Sequence, residues 1–545
     1  MLKFIEPITS TLNTFLAWMS TSLGQTTNSY CELQTADSPT VLVAHDGSLL
    51  SVIELSGVIS LIGSEEFEYI QEGIRQTFQN TMSQSGHTVQ VLFNYNPGDI
   101  AGVIEEIFDQ AKQTSRRLDL DLDYLFKERV QTMSDYCSHE EVYLVLWTRL
   151  SSLTSDQLKA SNKDKLKMIS QNKIPPFKQT QNILSAVPEL RETHDSFVGS
   201  VVMDMQNYGL VVSLLNVHDA VFAMRSIADP EFTAREWRAL LPGDKLTIKE
   251  INSSDGEVSD LLWPDLAKQI LPRDAERLDL RTARLGDRIF STVYIDLFPK
   301  EVQTFPRLFS RAMHSKIPWR ISFLLDSNGL GHAKFRSSIA SVLTFTSSQN
   351  RLLSDSLKLL SYINLNTDDA VVKFRVVATT WAPEGNVALL RSRAAILAKA
   401  IEGWGSCDVS EICGDPFEGV VSSMLGVTAN SPATASIAPI SDVLYMLPLF
   451  RPSSPWKSGA ILFRSIDGKP WPYHPGSRHQ STFIDLLYAR PGSGKSVLSN
   501  TINLAACLSP GIPRLPRIAI IDIGPSSSGL ISLLKEALPP EKKNQ

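Results

Sequence analysis

The chain has 545 residues, a formal net charge of −6 and a sequence pI of about 5.9. This length corresponds to roughly three or four folded units. The acidic balance provides no global positive field for binding phosphate backbones, so the sequence carries no strong nucleic-acid signal and DNA is not expected to be the main ligand.

The cysteine count and the hydropathy pattern indicate a cytoplasmic protein. Five cysteines are scattered along the chain, too few to stabilise it through disulfides, which suits a reducing compartment. Glu6 and Pro7 interrupt the apolar start, so it does not resemble an export signal. No run of 18 apolar residues occurs, and any membrane association is therefore expected to be peripheral.

An apolar stripe at helical spacing opens the chain, over residues 8–19. It consists of Ile8, Leu12, Phe15, Leu16 and Met19. The pattern predicts a helix but leaves two roles open: packing on its own domain, or docking on a partner or a membrane surface.

Residues 1–158 are predicted to form an N-terminal α+β domain. Two β-rich runs within 40–62 flank Asp46-Gly47, which predicts a hairpin. Helical and strand patterns then alternate, with helices over 64–82 and 101–133 and strands over 89–95 and 141–150.

The middle of the chain is predicted to form a second α+β region over 181–427. Six lysines and Pro175-Pro176 make 159–180 a Lys/Pro-containing connection, expected to be solvated. The clearest elements of the second region are strands over 291–299, 319–326 and 370–382 and a helix over 387–404. Small and polar residues over 428–440 predict a linker. Residues 441–545 then read as the beginning of a P-loop (RecA-like) α/β ATPase domain.

The motif with the clearest chemistry is "ARPGSGKS" at 489–496. It fits the phosphate-binding loop (Walker A) pattern, with Ala489 where glycine is commonest. Gly492, Ser493 and Gly494 would present main-chain N–H groups to phosphate, Lys495 would reach the β and γ phosphates, and the Ser496 hydroxyl would bind magnesium.

The context of the loop supports a site for ATP and Mg²⁺. "FIDLLY" before it reads as a strand, and the residues from Val497 onward read as a helix whose N-terminus favours phosphate. A second predicted strand, "RIAIIDIG", contains Asp522. Asp522 would orient magnesium, water or ribose, or would only form a turn; the sequence leaves these alternatives open.

Three other groups are weaker candidates. Cys407 and Cys413 lack further zinc ligands nearby, so buried thiols are favoured over a metal site. His474 and His479 lie close to the loop strand in sequence, although loop residues without a role are favoured over nucleotide or subunit contacts. "SNGLGHAKF" at 327–335 has a lone Gly-x-Gly after a strand, which favours a turn and helix cap.

Three stretches carry a resemblance to a known family. They are "AHDGSLLSVIELSGV" near the start, "YLVLWTRLSSLT" before the first boundary and "DVLYMLPLFRPSSPWKSGAILFRSIDGKPWPYHP" before the loop. The chain resembles the energising ATPases of type IV secretion and conjugation machines, the TraC/TrbE-like family, and especially those of Dot/Icm systems. The most specific part is 442–496, where Asp442, Pro448, Trp456, Asp467-Gly468 and the loop follow in family order.

The resemblance implies a cytoplasmic ATPase at the inner face of the bacterial inner membrane. It implies a homo-hexamer, partners among the inner-membrane secretion complex subunits, and a second cytoplasmic ATPase of the apparatus. The loop function falls on Gly492, Gly494, Lys495 and Ser496, and Asp522 matches the acid that closes the next strand. The catalytic acidic strand motif is absent from this sequence, so the resemblance implies the N-terminal half of a longer motor, mainly its docking half and inactive alone.

Two further functions remain open at this point. The chain is alternatively a non-catalytic nucleotide-binding scaffold of the apparatus, in which nucleotide only fixes assembly. A conjugative DNA-transfer motor is the other alternative, which the acidic balance makes less favourable.

Overall fold

The computed structural model describes residues 26–59, 62–172, 180–246, 262–299, 301–331, 348–367, 369–480, 484–521 and 525–543. The chain divides into two compact units, each built from segments that are distant in sequence. The first comprises Met1–Gly57, Leu61–Asn94 and Glu141–Phe450, and the second comprises Val58–Ser60, Tyr95–Glu140 and Arg451–Gln545. Both helices and strands occur throughout, so the fold is mixed α+β as predicted.

A large antiparallel sheet dominates the first unit. Its main strand order is β1-β2-β3-β5-β4-β10-β11-β9-β8-β7, with β12 paired to β9, β13 to β11 and β6 to β3. The strands are β1 (Leu33–Ser38), β2 (Val41–Ala44), β3 (Leu49–Val58), β4 (His87–Asn96), β5 (His139–Thr148), β6 (Leu210–Leu214), β7 (Ala275–Arg277), β8 (Thr282–Leu285), β9 (Arg288–Leu297), β10 (Trp319–Asp326), β11 (Val371–Pro383), β12 (Asp408–Ser410) and β13 (Ser436–Pro439).

Helices accompany this sheet along the first unit. They are α1 (Ser64–Ser83), α4 (Ser155–Asn172), α5 (Arg191–Asn207), α6 (Val217–Ala228), α7 (Leu266–Ile270), α8 (Phe305–Met313), α9 (Ser348–Asn366), α10 (Val387–Glu402), α11 (Pro416–Ser422) and α12 (Ile440–Met446); α2 (Ile100–Arg117) and α3 (Asp123–Ser134) belong to the second unit. The long predicted helix over 101–133 is thus two helices, broken where Asp119 adopts a φ of 57°.

The predicted hairpin around Asp46-Gly47 is confirmed. β2 and β3 pair in antiparallel register, and the Ala44 N–H bonds to the Ser48 carbonyl at 2.8 Å. Gly47 has a φ of 96°, in the region that only glycine enters without strain, and its Cβ position would lie 2.7 Å from the Ser185 carbonyl oxygen. The turn therefore needs glycine for both conformation and space.

Two long strands of mostly buried residues, β10 and β11, lie in the middle of the sheet. β10 occupies the predicted residues 319–326, and nearly all of its side chains are buried. β11 pairs with β10 on one side and β9 on the other. The side chains of β11 are buried along nearly its whole length, although the strand includes Lys373 and Arg375 near its start.

His194 of α5 is buried in the first unit between two hydroxyl groups. Its Nε2 lies 2.9 Å from Ser51 Oγ, and its Nδ1 lies 2.9 Å from Thr148 Oγ1. Burial lowers the pKa of His194 to about 4, and burial likewise lowers the pKa of His87 to about 4. Both imidazoles are therefore neutral in the folded protein at pH 7.

Acidification from pH 7 to pH 5 is expected to destabilise the first unit. Between pH 6.5, the ordinary pKa of histidine, and about pH 4, His194 and His87 bind protons in the unfolded chain but stay neutral in the folded protein. Their contribution is therefore complete above pH 6.5 and is lost as the pH falls, by on the order of 3 kcal/mol per histidine at full protonation of the unfolded state. Urea unfolding at several pH values measures the slope.

Two variants distinguish His194 from other acid-sensitive groups. His194→Gln should flatten the pH slope between 6.5 and 5, whereas His45→Gln, which removes an exposed imidazole of the same unit, should leave it unchanged. An unaltered slope in His194→Gln would refute the assignment.

The second unit has its own apolar core. Helices α2 and α3 pack with α13 (Lys495–Cys507), α14 (Ser528–Ala537) and the hairpin of β14 (Ile461–Arg464) and β15 (Pro470–Tyr473). Buried side chains from these elements include Ile104, Phe108 and Phe126 against Ile461, Leu504 and Leu530. The C-terminal region thus shares a core with residues that lie more than 300 positions earlier.

Both predicted connections contain regular secondary structure. Residues 159–172 of the predicted solvated connection belong to α4. In the predicted linker, β13 joins the large sheet by pairing with β11, and the side chain of Glu32 accepts hydrogen bonds from Thr428 Oγ1 and the Ala429 N–H. This segment is held by pairing with distant residues. Its small residues give no local hydropathy pattern that would predict a strand.

The predicted stripe over residues 8–19 lies outside the described residues. Among the helices that the structure describes, none combines the length and apolarity needed to cross a bilayer.

Candidate functional site

The candidate phosphate loop lies at the start of α13. Residues 484–494 run without regular structure up to Gly494, and the helix begins at Lys495 as the motif predicts. Buried Leu504, Ala505 and Cys507 fix the later turns of α13 in the core of the second unit. The loop itself is exposed, whereas the helix that follows it is anchored in this core.

Both motif glycines adopt backbone angles that L-residues avoid. Gly492 has a φ of 79°, and Gly494, which caps the helix, has a φ of 88°. A Cβ atom at either position would meet nothing within 4 Å. Glycine is therefore needed here for backbone conformation and for close approach by a ligand, rather than for packing.

The first turn of α13 presents hydrogen-bond donors. Among the described residues, the N–H groups of Gly494, Lys495 and Ser496 have no hydrogen-bond partner, whereas the Leu498 N–H already bonds to the Gly494 carbonyl. Unpaired N–H groups and the positive end of a helix dipole favour an anion at this position.

The Lys495 side chain adds a positive charge to the loop. Its Nζ donates to the Ala489 carbonyl at 2.8 Å and lies 3.4 Å from the Arg490 carbonyl oxygen. The ammonium group therefore folds back over the start of the loop. The Ser493 hydroxyl donates to the same Arg490 carbonyl at 2.6 Å, which tightens the turn between them.

The other predicted site residues are Ser496, Val497 and Asp522. Ser496 and Val497 are exposed on the first turn, and the hydroxyl of Ser496 is thus accessible to a cation. Asp522 lies outside the described residues. In the part of the chain that the structure describes, no three metal-binding side chains of His, Cys, Asp or Glu form a group. Of the two residues that the sequence associates with magnesium, Ser496 and Asp522, the structure describes Ser496.

The two strands predicted around the helix do not form among the described residues. Residues 484–488 and 517–521 have no β-ladder partner, and their large apolar side chains are exposed: Ile484, Leu486, Leu487, Tyr488, Ile518, Ile520 and Ile521. An apolar run becomes a strand only when a neighbour pairs with its N–H and C=O groups. A P-loop domain is therefore not confirmed, although the turn at Gly492 and Gly494 and the helix from Lys495 are present.

His474, near the loop in sequence, lies beside the far end of the helix that follows the loop. His474 lines a cavity of about 10 Å³ with Ala505 and Leu508. Since each helical residue adds 1.5 Å, Ala505 lies roughly 15 Å along the axis from Lys495. Burial, together with His479, lowers the pKa of His474. His474 therefore belongs to the packing at the far end of α13.

The two cysteines are held separately by main-chain groups. Cys407 Sγ donates to the Trp404 carbonyl, and Cys413 Sγ donates to the Pro432 carbonyl. Burial raises the pKa of Cys407 to about 11, so this thiol is protonated at neutral pH.

A buried ion cluster in the second unit was missed by sequence reasoning. Arg451 forms two hydrogen bonds to Glu140, at 3.0 and 2.6 Å, and a third to Asp467 at 2.8 Å. Lys469 Nζ lies 3.5 Å from Glu140. Asp467 belongs to the segment that carries the family resemblance, so part of that pattern serves folding. The sequence could have predicted this cluster only by pairing Arg451 with an acid 311 positions earlier.

Comparison with known proteins adds no assignment to these residues. No protein-family model matches the chain, and a search of curated proteins gives no significant match.

Proposed function

We propose that residues 489–496 bind the phosphates of ATP and that the chain is an ATPase subunit that powers or assembles a type IV secretion apparatus for protein translocation. The observation that carries this proposal is the pair of left-handed glycines before a helix whose first N–H groups are unpaired. Gly492, Ser493, Gly494 and Val497 line the main-chain cradle. Lys495 supplies charge to the phosphates and Ser496 supplies a hydroxyl to magnesium.

The type of apparatus rests on the family resemblance in the sequence. We propose a Dot/Icm-like system and a role like that of DotO (IcmB). In this role the chain works as a homo-hexamer in the bacterial cytoplasm, at the inner face of the inner membrane. Its partners are inner-membrane subunits of the secretion complex and a second cytoplasmic ATPase.

The first unit suits docking because of its architecture. Its large sheet is covered by helices over more than 300 residues, while the phosphate loop belongs to the second unit. A role in docking requires a large folded surface, and the first unit provides one.

Catalysis by the chain alone is expected to remain at background rate. Only Asp522, Glu536 and Glu541 follow the loop in the sequence. Glu536 lies 3.4 Å from Lys543, on the surface. Polarising the attacking water and placing magnesium need well-positioned acidic groups, and an oligomeric motor usually adds an arginine from a neighbour. Phosphate release measured with Mg·ATP should therefore be the same for the native chain and Lys495→Ala.

Robust hydrolysis that disappears in Lys495→Ala would contradict this expectation. It would mean that Asp522 or another residue already completes the site. Asp522→Asn, assayed beside it, would show whether Asp522 is responsible.

The main alternative is a scaffold in which nucleotide fixes assembly without turnover. It predicts that Mg·ATP changes the sedimentation of the chain and that a non-hydrolysable analogue acts equally. A conjugative DNA-transfer motor would instead require salt-sensitive DNA binding, which the net charge of −6 does not favour.

A further inference from the structure

A polar cavity of about 490 Å³ lies in the first unit, where four inner strands of the large sheet begin or end. Here β4 begins and β5 ends, while the neighbouring β10 ends and β11 begins. The described lining residues are Ser85, Gly86, His87, Thr88, Arg149, Ser151, Asp326, Ser327, Asn328, Gly331, Lys373, Arg375, Ala429 and Asn430. The cavity is independent of the loop at 489–496 and of the function proposed for it.

Three cations and one carboxylate line the cavity. Arg375 Nη2 bonds to Asp326 at 2.6 Å, and Lys373 Nζ lies 3.5 Å from the same Oδ2 atom. Thr88 also donates to Asp326, at 2.9 Å. Asp326 thus contacts two of the three cations that line the cavity.

Arg149 provides the third cation and is only loosely paired. Its guanidinium lies 3.7 Å from Glu32 and 5.4 Å from the centre of the Trp147 ring. Glu32 already accepts hydrogen bonds from Thr428 and Asn430, each at 2.6 Å. The charge of Arg149 is therefore only partly neutralised.

Buried polar atoms at the cavity have hydrogen-bonding capacity left over. Arg375 is 9% exposed, and within the described chain its Nε has no hydrogen-bond partner. The same is true of Nδ1 of His87, which is 4% exposed. An unsatisfied buried guanidinium N–H costs free energy, so the fold keeps Arg375 beside the cavity at a cost in stability.

The lining also indicates the class of ligand. Apart from Ala429 and two glycines, every described lining residue is polar or charged, which disfavours an apolar ligand. The excess of cations disfavours a metal ion. Arginine forks match the oxygens of phosphate, and the volume suits a small molecule.

We propose that this cavity binds a small phosphate-bearing anion, through Arg149, Lys373 and Arg375. The turn at Ser327 and Asn328 supplies neutral donors at its rim. Asn328 has a φ of 54°, and a Cβ atom at Gly329 would lie 2.6 Å from the main chain of Val372. The Gly-x-Gly after β10 therefore lets the turn pack against β11 beside the cations.

The test titrates two phosphate probes into the full chain by calorimetry. Inorganic phosphate represents free phosphate and AMP represents an organic phosphate ester, with citrate as a carboxylate comparator. All titrations use the Lys495→Ala background, so that the loop of the second unit contributes little. We expect saturable phosphate binding that weakens about tenfold or more in Arg375→Gln and in Arg149→Gln.

Further variants separate binding from folding. Arg375→Lys keeps the charge and should retain more affinity than Arg375→Gln; Arg149→Gln removes a more exposed and loosely paired side chain, with little effect on the fold. Tighter binding of AMP would identify an organic phosphate, and equal or tighter binding of inorganic phosphate would identify the free ion. Absence of saturable binding, equal binding of citrate, or affinities unchanged in both glutamine variants would overturn the proposal.

Discussion

Replacing Glu140 with glutamine is expected to lower the free energy of unfolding of the second unit by about 3–5 kcal/mol. The substitution keeps the shape of the side chain but removes its charge. Arg451, 3% exposed at its side chain, would keep Asp467 but lose the carboxylate of Glu140, and Lys469 Nζ would lose the same charge 3.5 Å away. A buried cation that loses a buried carboxylate costs far more than a lost surface ion pair.

The pKa of Glu140 follows the same balance. Burial favours the neutral acid and raises the pKa, but Arg451 and Lys469 more than offset burial, so the pKa lies below its ordinary value of 4.5. The carboxylate therefore remains charged at neutral pH. Its stabilising contribution is present above the unfolded pKa and is lost as the pH falls through the lowered folded value.

A matched control separates burial from charge. Asp119→Asn removes a carboxylate that pairs with Lys542 at 2.6 Å on the surface of the same unit, and asparagine tolerates the φ of 57° at this position. This variant should change stability by less than about 1 kcal/mol. Hydrogen exchange of the β14–β15 hairpin reports the opening of this unit. Equal, small effects of the two variants would show that the buried cluster contributes little.

Local patterns were sufficient to predict the elements that are held by their own sequence. The hairpin at Asp46-Gly47 has a turn glycine, and β10 and β11 are long runs whose side chains are buried almost throughout. The helix after the phosphate loop was likewise predicted from its apolar spacing. In each case propensity, hydropathy and turn chemistry favour the same structure.

Contacts between distant segments could not be predicted in this way. Residues 428–440 look like a linker in sequence because most of them are small, and it is the pairing with β11 that makes Ser436–Pro439 a strand. The second unit combines Tyr95–Glu140 with Arg451–Gln545, which no local period reveals. Conversely, the runs at 484–488 and 517–521 have strand composition but no neighbour with which to pair.

The two sites differ in the same respect. The candidate phosphate loop is contiguous, so its glycines, Lys495 and Ser496 could be predicted from spacing alone. The cations of the polar cavity, Arg149, Lys373 and Arg375, come from distant parts of the chain, and only the order of strands in the sheet brings them together.

Lys495→Ala is expected to weaken Mg·ATP binding by about 10- to 100-fold, the second large effect. A charge-assisted contact of the ammonium group with the β and γ phosphates contributes about 1.5–3 kcal/mol, and each 1.4 kcal/mol corresponds to tenfold in affinity. The unpaired N–H groups of the loop would still offer weak, charge-independent contacts. Binding by the native chain should itself be weak, because the runs flanking the loop helix are not held in a sheet.

Calorimetric titration of Mg·ATP into the native chain, Lys495→Ala and Lys535→Ala tests the nucleotide site most directly. Lys535 is exposed on α14 of the same unit and provides the same change of charge away from the loop. The account predicts saturable binding by the native chain and by Lys535→Ala, and a 10- to 100-fold loss in Lys495→Ala. Equal affinities of all three proteins, or no binding by the native chain, would contradict it.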